Sequence, residues 1–197
     1  VWWAHRTLWH LIFSGVMERH PNLSFVFTEQ GTAWLPEEIT RLDYYHLRLG
    51  GSGAAAGAQE AKFGEALGGL SLKPSEYWAR QCQLGSSFIR RAEVPLRDQV
   101  GIERIMWGSD FPHLEGCWPY SKKHLRLAFH DVPEDEVRAM VGGNAARVYG
   151  FDLVALAPLA ERFGPTPAEV ALPLGADDIP DDSLRCPAFA SGKYLGD

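Results

Sequence analysis

A carboxylate set directly behind an apolar run is the first group in this sequence that could do chemistry. Asp110 closes the segment IERIMWGSD, residues 102–110, which is apolar through Trp107 and then breaks at Gly108-Ser109-Asp110. The C-terminal ends of strands are where (β/α) folds gather their reactive groups, because side chains there reach the mouth of the sheet without interrupting its core. A carboxylate in such a place loses hydration unless it is paired, hydrogen-bonded or bound to a metal, and a divalent metal is a common solution. The same residue could instead cap a turn together with Ser109. His113, three residues further, could be a second ligand, a hydrogen-bond donor to a substrate or a plain loop residue.

Glu29 occupies the matching place behind the run LSFVFT, with Gly31 allowing close approach of the backbone. It could accept a proton, orient a metal-bound water or hold a neighbouring base, or it could be a buried glutamate satisfied by backbone amides. Trp34 and Trp107 flank these positions and could wall an apolar pocket, although an aromatic near a strand end is more often core. His5 and His10 lie five apart on a helix, off a shared face, and read as packing or surface residues. The chain has no His-x-His pair, glycine-rich phosphate loop, G-x-S-x-G elbow or Cys-x-x-Cys. Catalytic zinc usually takes three protein ligands, so a complete site needs residues beyond the one credible ligand, Asp110.

The elements that would position these groups follow from period and punctuation. Trp3, Leu8, Leu11, Ile12 and Met17 recur at three- and four-residue spacings, which predicts a helix over 3–19 ending before Pro21. LSFVF, residues 23–27, reads as a buried strand, and Pro36 with Glu37 and Glu38 opens an amphipathic helix to about residue 48. Residues 50–71, rich in glycine and alanine, read as a loop insertion. A short helical turn after Pro74, a strand over 83–88, a helix over 93–100 and the strand 102–110 follow. Helices are then expected over 121–130 and 133–149, the second opened by Pro133-Glu134-Asp135-Glu136 and stopped by Gly150. The segment 153–197 is expected to pack on the body as an irregular extension, leaving 1–152 as the main domain. Alternating strands and helices make this an α/β protein with a parallel sheet, and the pattern alone leaves an open sheet and part of a barrel equally open.

Composition narrows the functional classes. The 25 acidic and 19 basic side chains give a formal charge of −6, with no basic cluster beyond Arg90-Arg91 and Lys122-Lys123, so a nucleic acid is not an expected partner. No run reaches a membrane-spanning length and no signal-peptide pattern is present, which points to a cytoplasmic protein with a small-molecule substrate and no membrane partner. Homo-oligomerisation stays open. Cys82, Cys117 and Cys186 fit no zinc spacing and are expected as thiols.

Four segments together resemble one known family. GIERIMWGSDFPHLEGCWPYS and PEDEVRAMVGGNAARVYGFDL resemble the closing strand and last helices of the amidohydrolase-related superfamily, in the branch that includes the carboxylate-processing decarboxylases. SGVMERHPNLSFVFTEQGTAWLPEEITRLD resembles its sixth-strand region and LSLKPSEYWARQCQLGSSF its seventh. The resemblance implies the C-terminal part of a (β/α)8 TIM barrel of the metal-dependent hydrolase type, within a parent of about 350–400 residues whose remaining metal ligands precede residue 1. It implies a divalent metal, zinc foremost, with Asp110 as ligand and proton acceptor, and Glu29 and His113 as further catalytic candidates. In the full protein such an ion would polarise a carbonyl or carboxylate and acidify its water. The Gly142–Gly150 segment would be structural. The decarboxylase members place a histidine where this sequence has Glu29, which opens hydrolysis of a small carboxylated or cyclic substrate ahead of nonoxidative decarboxylation. A catalytically silent chain, serving only packing or assembly, is the reading from another class.

Overall fold

The computed structural model describes residues 2–50, 69–180 and 189. Of the expected glycine-rich insertion at 50–71, residues 51–68 lie outside the described residues. Two compact units emerge, residues 1–27 with 33–83, and residues 28–32 with 84–197.

The first unit begins with α1, Trp2–Phe13, whose inward face is Leu8 and Ile12. The single helix expected over 3–19 is broken: Gly15 adopts a left-handed backbone (φ 73°), and a second short helix, α2, Val16–Arg19, buries Met17 beyond it. Only glycine takes that conformation cheaply, so the period continues across the break while the helix does not. Strand β1 is Phe25–Thr28, two residues later than expected at its start, with Leu23 left exposed. The helix opened by Pro36 is α3, Leu35–Gly50, with Leu35 and Leu42 in the core. Helix α4, Pro74–Gln81, buries Tyr77 and Trp78. Its first turn is tied down by two backbone donors, Lys73 N to Glu76 Oε2 at 2.7 Å and Ser75 N to Asp43 Oδ1 at 2.9 Å. The buried Gln81 amide donates to the carbonyls of His20 (2.8 Å) and Leu23 (3.0 Å), holding the approach to β1.

Strand β2 is Cys82–Ser87 and β3 is Ile105–Gly108, and the sheet has the order β1-β2-β3. β2 and β3 are parallel, in register from Leu84 opposite Ile105 to Ser87 opposite Gly108. The strand expected over 102–110 is shorter because Ile102–Arg104 form a 3-10 turn behind Gly101 (φ 96°). The helix expected over 93–100 is a 3-10 segment, Arg91–Leu96, continued by α5, Arg97–Val100.

After β3 come α6, Ser121–Phe129, and α7, Glu134–Arg138, the latter widening into a π-turn, Ala139–Gly143, before α8, Asn144–Tyr149. Gly150 (φ 72°) stops that run, as its place in the sequence predicts. Buried Asn144 donates to the carbonyls of Ile102 (2.8 Å) and Ile105 (2.7 Å), pinning α8 to the root of β3. The tail is more regular than expected. Asp152 accepts from the amides of Val154 and Ala155 and starts α9, Leu153–Phe163, which is followed by α10, Pro167–Val170. Every side chain of α9 is exposed. No helix among the described residues is long and apolar enough to cross a membrane.

Candidate functional site

Each of the three strands runs out into a non-glycine residue with positive φ: Glu29 (57°) after β1, Phe88 (38°) after β2 and Asp110 (59°) after β3. Such conformations cost of order 1–3 kcal/mol for ordinary L residues and concentrate where function requires a particular side-chain direction. Two of the three are the carboxylates singled out by sequence.

The loop behind β3 is built in a few short steps. Ser109 Oγ accepts the Phe111 amide at 3.3 Å, so the turn-capping role open to the Ser109-Asp110 pair falls to Ser109. The Asp110 carbonyl accepts the His113 amide at 2.8 Å, the His113 carbonyl accepts the Gly116 amide at 3.1 Å, and the Ser109 carbonyl accepts the Cys117 amide at 3.0 Å. Gly116 sits where the three carbonyls converge; a Cβ there would lie 2.8 Å from Ser109 O and 3.0 Å from those of Asp110 and His113. The result is a closed loop on which His113 and Glu115 are exposed. Asp110 Oδ2 lies 3.3 Å from His113 Nδ1, with the Asp110 side chain largely buried and His113 mostly exposed. Glu115 joins them: one ligand atom from each of Asp110, His113 and Glu115 falls within 4.8 Å of the others. One imidazole nitrogen and two carboxylates are a donor set suited to a divalent cation. Phe111 and Trp118, both exposed, pack edge to face at 5.6 Å beside this group.

Glu29 is exposed and stands outside that group, so the alternative of a buried, amide-satisfied glutamate is not what the fold shows. The buried carboxylate of this region is Glu93. Its Oε1 accepts the Thr32 amide at 2.8 Å and its Oε2 the Arg90 amide at 3.0 Å, joining the loops that follow β1 and β2. Thr32 Oγ1 also meets Ser86 Oγ of β2 at 3.1 Å. In sequence Glu93 reads as an ordinary helix-start acid, and only its burial reveals the clamp.

The aromatic residues near the strand ends are taken up by histidines. Trp34 stacks on His5 at 4.4 Å, and His5 Nδ1 lies 3.2 Å from the buried Glu38. Trp107 stacks on His124 and donates its indole N–H to that ring's Nδ1 at 3.3 Å. His5 is thus a packing residue, while His10 is exposed and accepts a long contact from Arg6 at 3.4 Å. His124 is wholly buried, and burial holds its pKa down to about 4. Its position inside an amphipathic helix gave no sign of this. Glu115 lies in an exposed stretch, where its spacing from Asp110 and His113 is the only sequence signal that links the three.

The sequence profile of the family described as Amidohydrolase matches residues 5–151. The solved structure of 5-carboxyvanillate decarboxylase from Sphingomonas paucimobilis is 28% identical, with a TM-score of 0.57 over 75% of this chain and 39% of that one. An amidohydrolase from Mycobacterium avium subsp. paratuberculosis K-10 is similar in fold at 24% identity and a TM-score of 0.55, over 76% of this chain and 34% of that one. No curated protein sequence matches. The chain therefore spans well under half the length of these two structures.

Proposed function

The chain belongs to the amidohydrolase family, its small parallel sheet being part of that family's TIM barrel, and from this premise we propose a metal-dependent hydrolase acting on a small carboxylated or cyclic substrate. The observation that carries the reading is the Asp110 carboxylate at the end of β3, turned by its positive φ and set 3.3 Å from His113.

In this reading Asp110 holds a divalent ion, zinc foremost, with the further ligands of the whole site supplied from outside this chain. When bound, the ion supplies Lewis acidity toward a carbonyl or carboxylate oxygen. Asp110 accepts and returns a proton, which a carboxylate can do while remaining a ligand. His113, half in solvent and paired with Asp110, steadies that carboxylate and offers a hydrogen bond to the substrate. Glu29, projecting from the mouth of β1, is the second acid–base group. Residues 1–152 form the barrel part and 153–197 an extension of it, a division supported by the end of the family match at 151. Nonoxidative decarboxylation is the second reading, favoured by the similarity to a decarboxylase.

The test is Asp110→Asn, assayed with Zn²⁺ against small esters, amides and lactones and against aromatic carboxylates. Asn keeps the size and one acceptor oxygen but removes the charge and the proton acceptor, so turnover falls by about 10²–10⁴-fold. Metal content is measured in the same samples. Full occupancy with a kcat within about threefold of the parent would remove Asp110 from the reaction.

A further inference from the structure

We propose that the stacked pair His5 and Trp34 is a binding site for the carboxylate group of a small ligand, one carboxylate oxygen meeting His5 Nε2 and the other the indole N–H of Trp34. The site shares no residue with the Asp110 reading and stands or falls apart from it.

Packing accounts for the face of the His5 ring and for one of its nitrogens. Nδ1 lies 3.2 Å from Glu38 Oε2, the arrangement in which an imidazole gives one N–H to a carboxylate and keeps its other nitrogen for a ligand. That other nitrogen, Nε2, is closed off from solvent and has no hydrogen-bond partner among the described residues. The indole N–H of Trp34, on the ring stacked against His5 at 4.4 Å, is closed off and unpartnered in the same way. A buried N–H without an acceptor gives up its hydration for no return, so exceptions mark places that act on something else. Here two occur on rings in contact.

Glu38 keeps the pair in place. It is buried on α3 and also receives the indole N–H of Trp9 and, at 3.4 Å, Nη1 of Arg41, whose other terminal nitrogen meets the exposed Glu37 at 2.6 Å. With three donors converging on one carboxylate, Glu38 acts as an acceptor and fixes a proton on His5 Nδ1.

The two nitrogens select the ligand. A carboxylate-backed imidazole by itself would suit a metal ion, but the indole of Trp34 is a donor only and turns a cation away. A carboxyl group satisfies both: one oxygen accepts from the indole, and the other shares a proton with Nε2, the ring being protonated against a carboxylate or neutral against the acid. Each nitrogen lies within a ring's radius of centres 4.4 Å apart, a gap that the two oxygens of one carboxylate span. A neutral hydroxyl makes only the weaker, uncharged version of the same contacts. His5 keeps 22% of its side chain in solvent and Trp34 is partly exposed, so the pair lies at the surface, where side-chain rotation admits a small ligand to the covered nitrogens.

The experiment is titration of the 197-residue chain with sodium acetate, and with sodium chloride at equal ionic strength, followed through the indole and imidazole signals in proton–nitrogen correlation NMR spectra of the parent, Trp34→Phe and His5→Phe. Phenylalanine keeps a ring in the stack and removes only the nitrogens. The Trp34 indole signal is the one missing from Trp34→Phe. The expected result is that acetate moves this signal saturably, that chloride does not, and that each variant binds acetate about tenfold or more weakly than the parent. An indole signal that acetate leaves in place, or that chloride moves equally, overturns the proposal, as does parent-like affinity in either variant. Circular dichroism melts check folding. His5→Phe takes a partner from Glu38, so if it fails to fold, Trp34→Phe alone decides.

Discussion

Trp107 on β3 gives its indole N–H to Nδ1 of His124 on α6 at 3.3 Å, so Nδ1 carries a lone pair and the proton of the neutral ring sits on Nε2, where it meets the Ile89 carbonyl at 3.0 Å. One buried imidazole thus fastens the last turn of β3 to the chain leaving β2. Protonating Nδ1 would set two N–H groups against each other in a site without solvent.

This predicts an acid-sensitive contribution to stability. Burial holds the folded pKa near 4, below the ordinary value of 6.5, so the unfolded chain binds the extra proton more readily. The stabilisation is complete above about pH 6.5, declines as pH falls toward 4, and the full loss corresponds to about 3 kcal/mol. Urea midpoints at pH 7, 5 and 4 for the parent and His124→Gln test it. The parent is expected to lose more stability than the variant between pH 7 and 4, and parallel curves would assign the acid sensitivity to carboxylates elsewhere.

Asn144 is expected to be structural. Its amide supplies two hydrogen bonds from a buried position, one to the 3-10 turn before β3 and one to the first residue of β3, so Asn144→Ala strands the carbonyls of Ile102 and Ile105 and costs about 2 kcal/mol. Asn144→Asp fills the same volume but cannot donate, so it gives no rescue. Thermal midpoints compare the two, and an aspartate variant as stable as the parent would contradict this assignment.

How far these features could be read beforehand depended on whether they were written in period or in backbone conformation. Strand β3 and its terminal Asp110 stand out because Ile105 to Trp107 are apolar and Gly108-Ser109 ends the run. The break at Gly15 leaves the hydrophobic spacing of Leu8, Ile12 and Met17 intact, so period alone runs through it. The tail departs from the expected irregular extension because Leu153–Phe163 carries apolar residues on all sides and Pro158 within, a pattern with no helical period, although Asp152 is an ordinary helix cap. In the site, the residues at strand ends were legible from position. Glu93 and His124 were not, because their importance lies in burial, and Glu115 required knowing that the loop closes on Gly116.

That closure makes Gly116 a sensitive position. A methyl group there would meet three backbone carbonyls at 2.8–3.0 Å, atoms that cannot swing aside as a flexible side chain would. Gly116→Ala is expected to open the loop and separate Asp110 from His113. Its neighbour Cys117 is wholly buried in a small hydrophobic cluster, so the thermal midpoint falls as well. Hydrogen exchange across 109–117 supplies the second readout, and unchanged protection there would show that the loop accommodates the methyl.

The last prediction concerns the clamp behind β1. A Cβ on Gly31 would lie 2.6 Å from Glu93 Oε1, the oxygen that accepts the Thr32 amide. The carboxylate cannot simply retreat, since its other oxygen is held by the Arg90 amide at 3.0 Å. Gly31→Ala therefore breaks the clamp from one side, and Glu93→Ala breaks it from the other by leaving two amides without their acceptor, each at a cost of about 1–3 kcal/mol. Because both act on one contact, their effects are not additive. Once Glu93 has been cut back to alanine the methyl on Gly31 has room, so adding Gly31→Ala to that background costs little more. A double-mutant cycle by urea denaturation measures this coupling. Strict additivity would mean that the methyl is absorbed by movement of the Glu29–Thr32 loop instead, and that the loop bearing Glu29 is not fixed by Glu93.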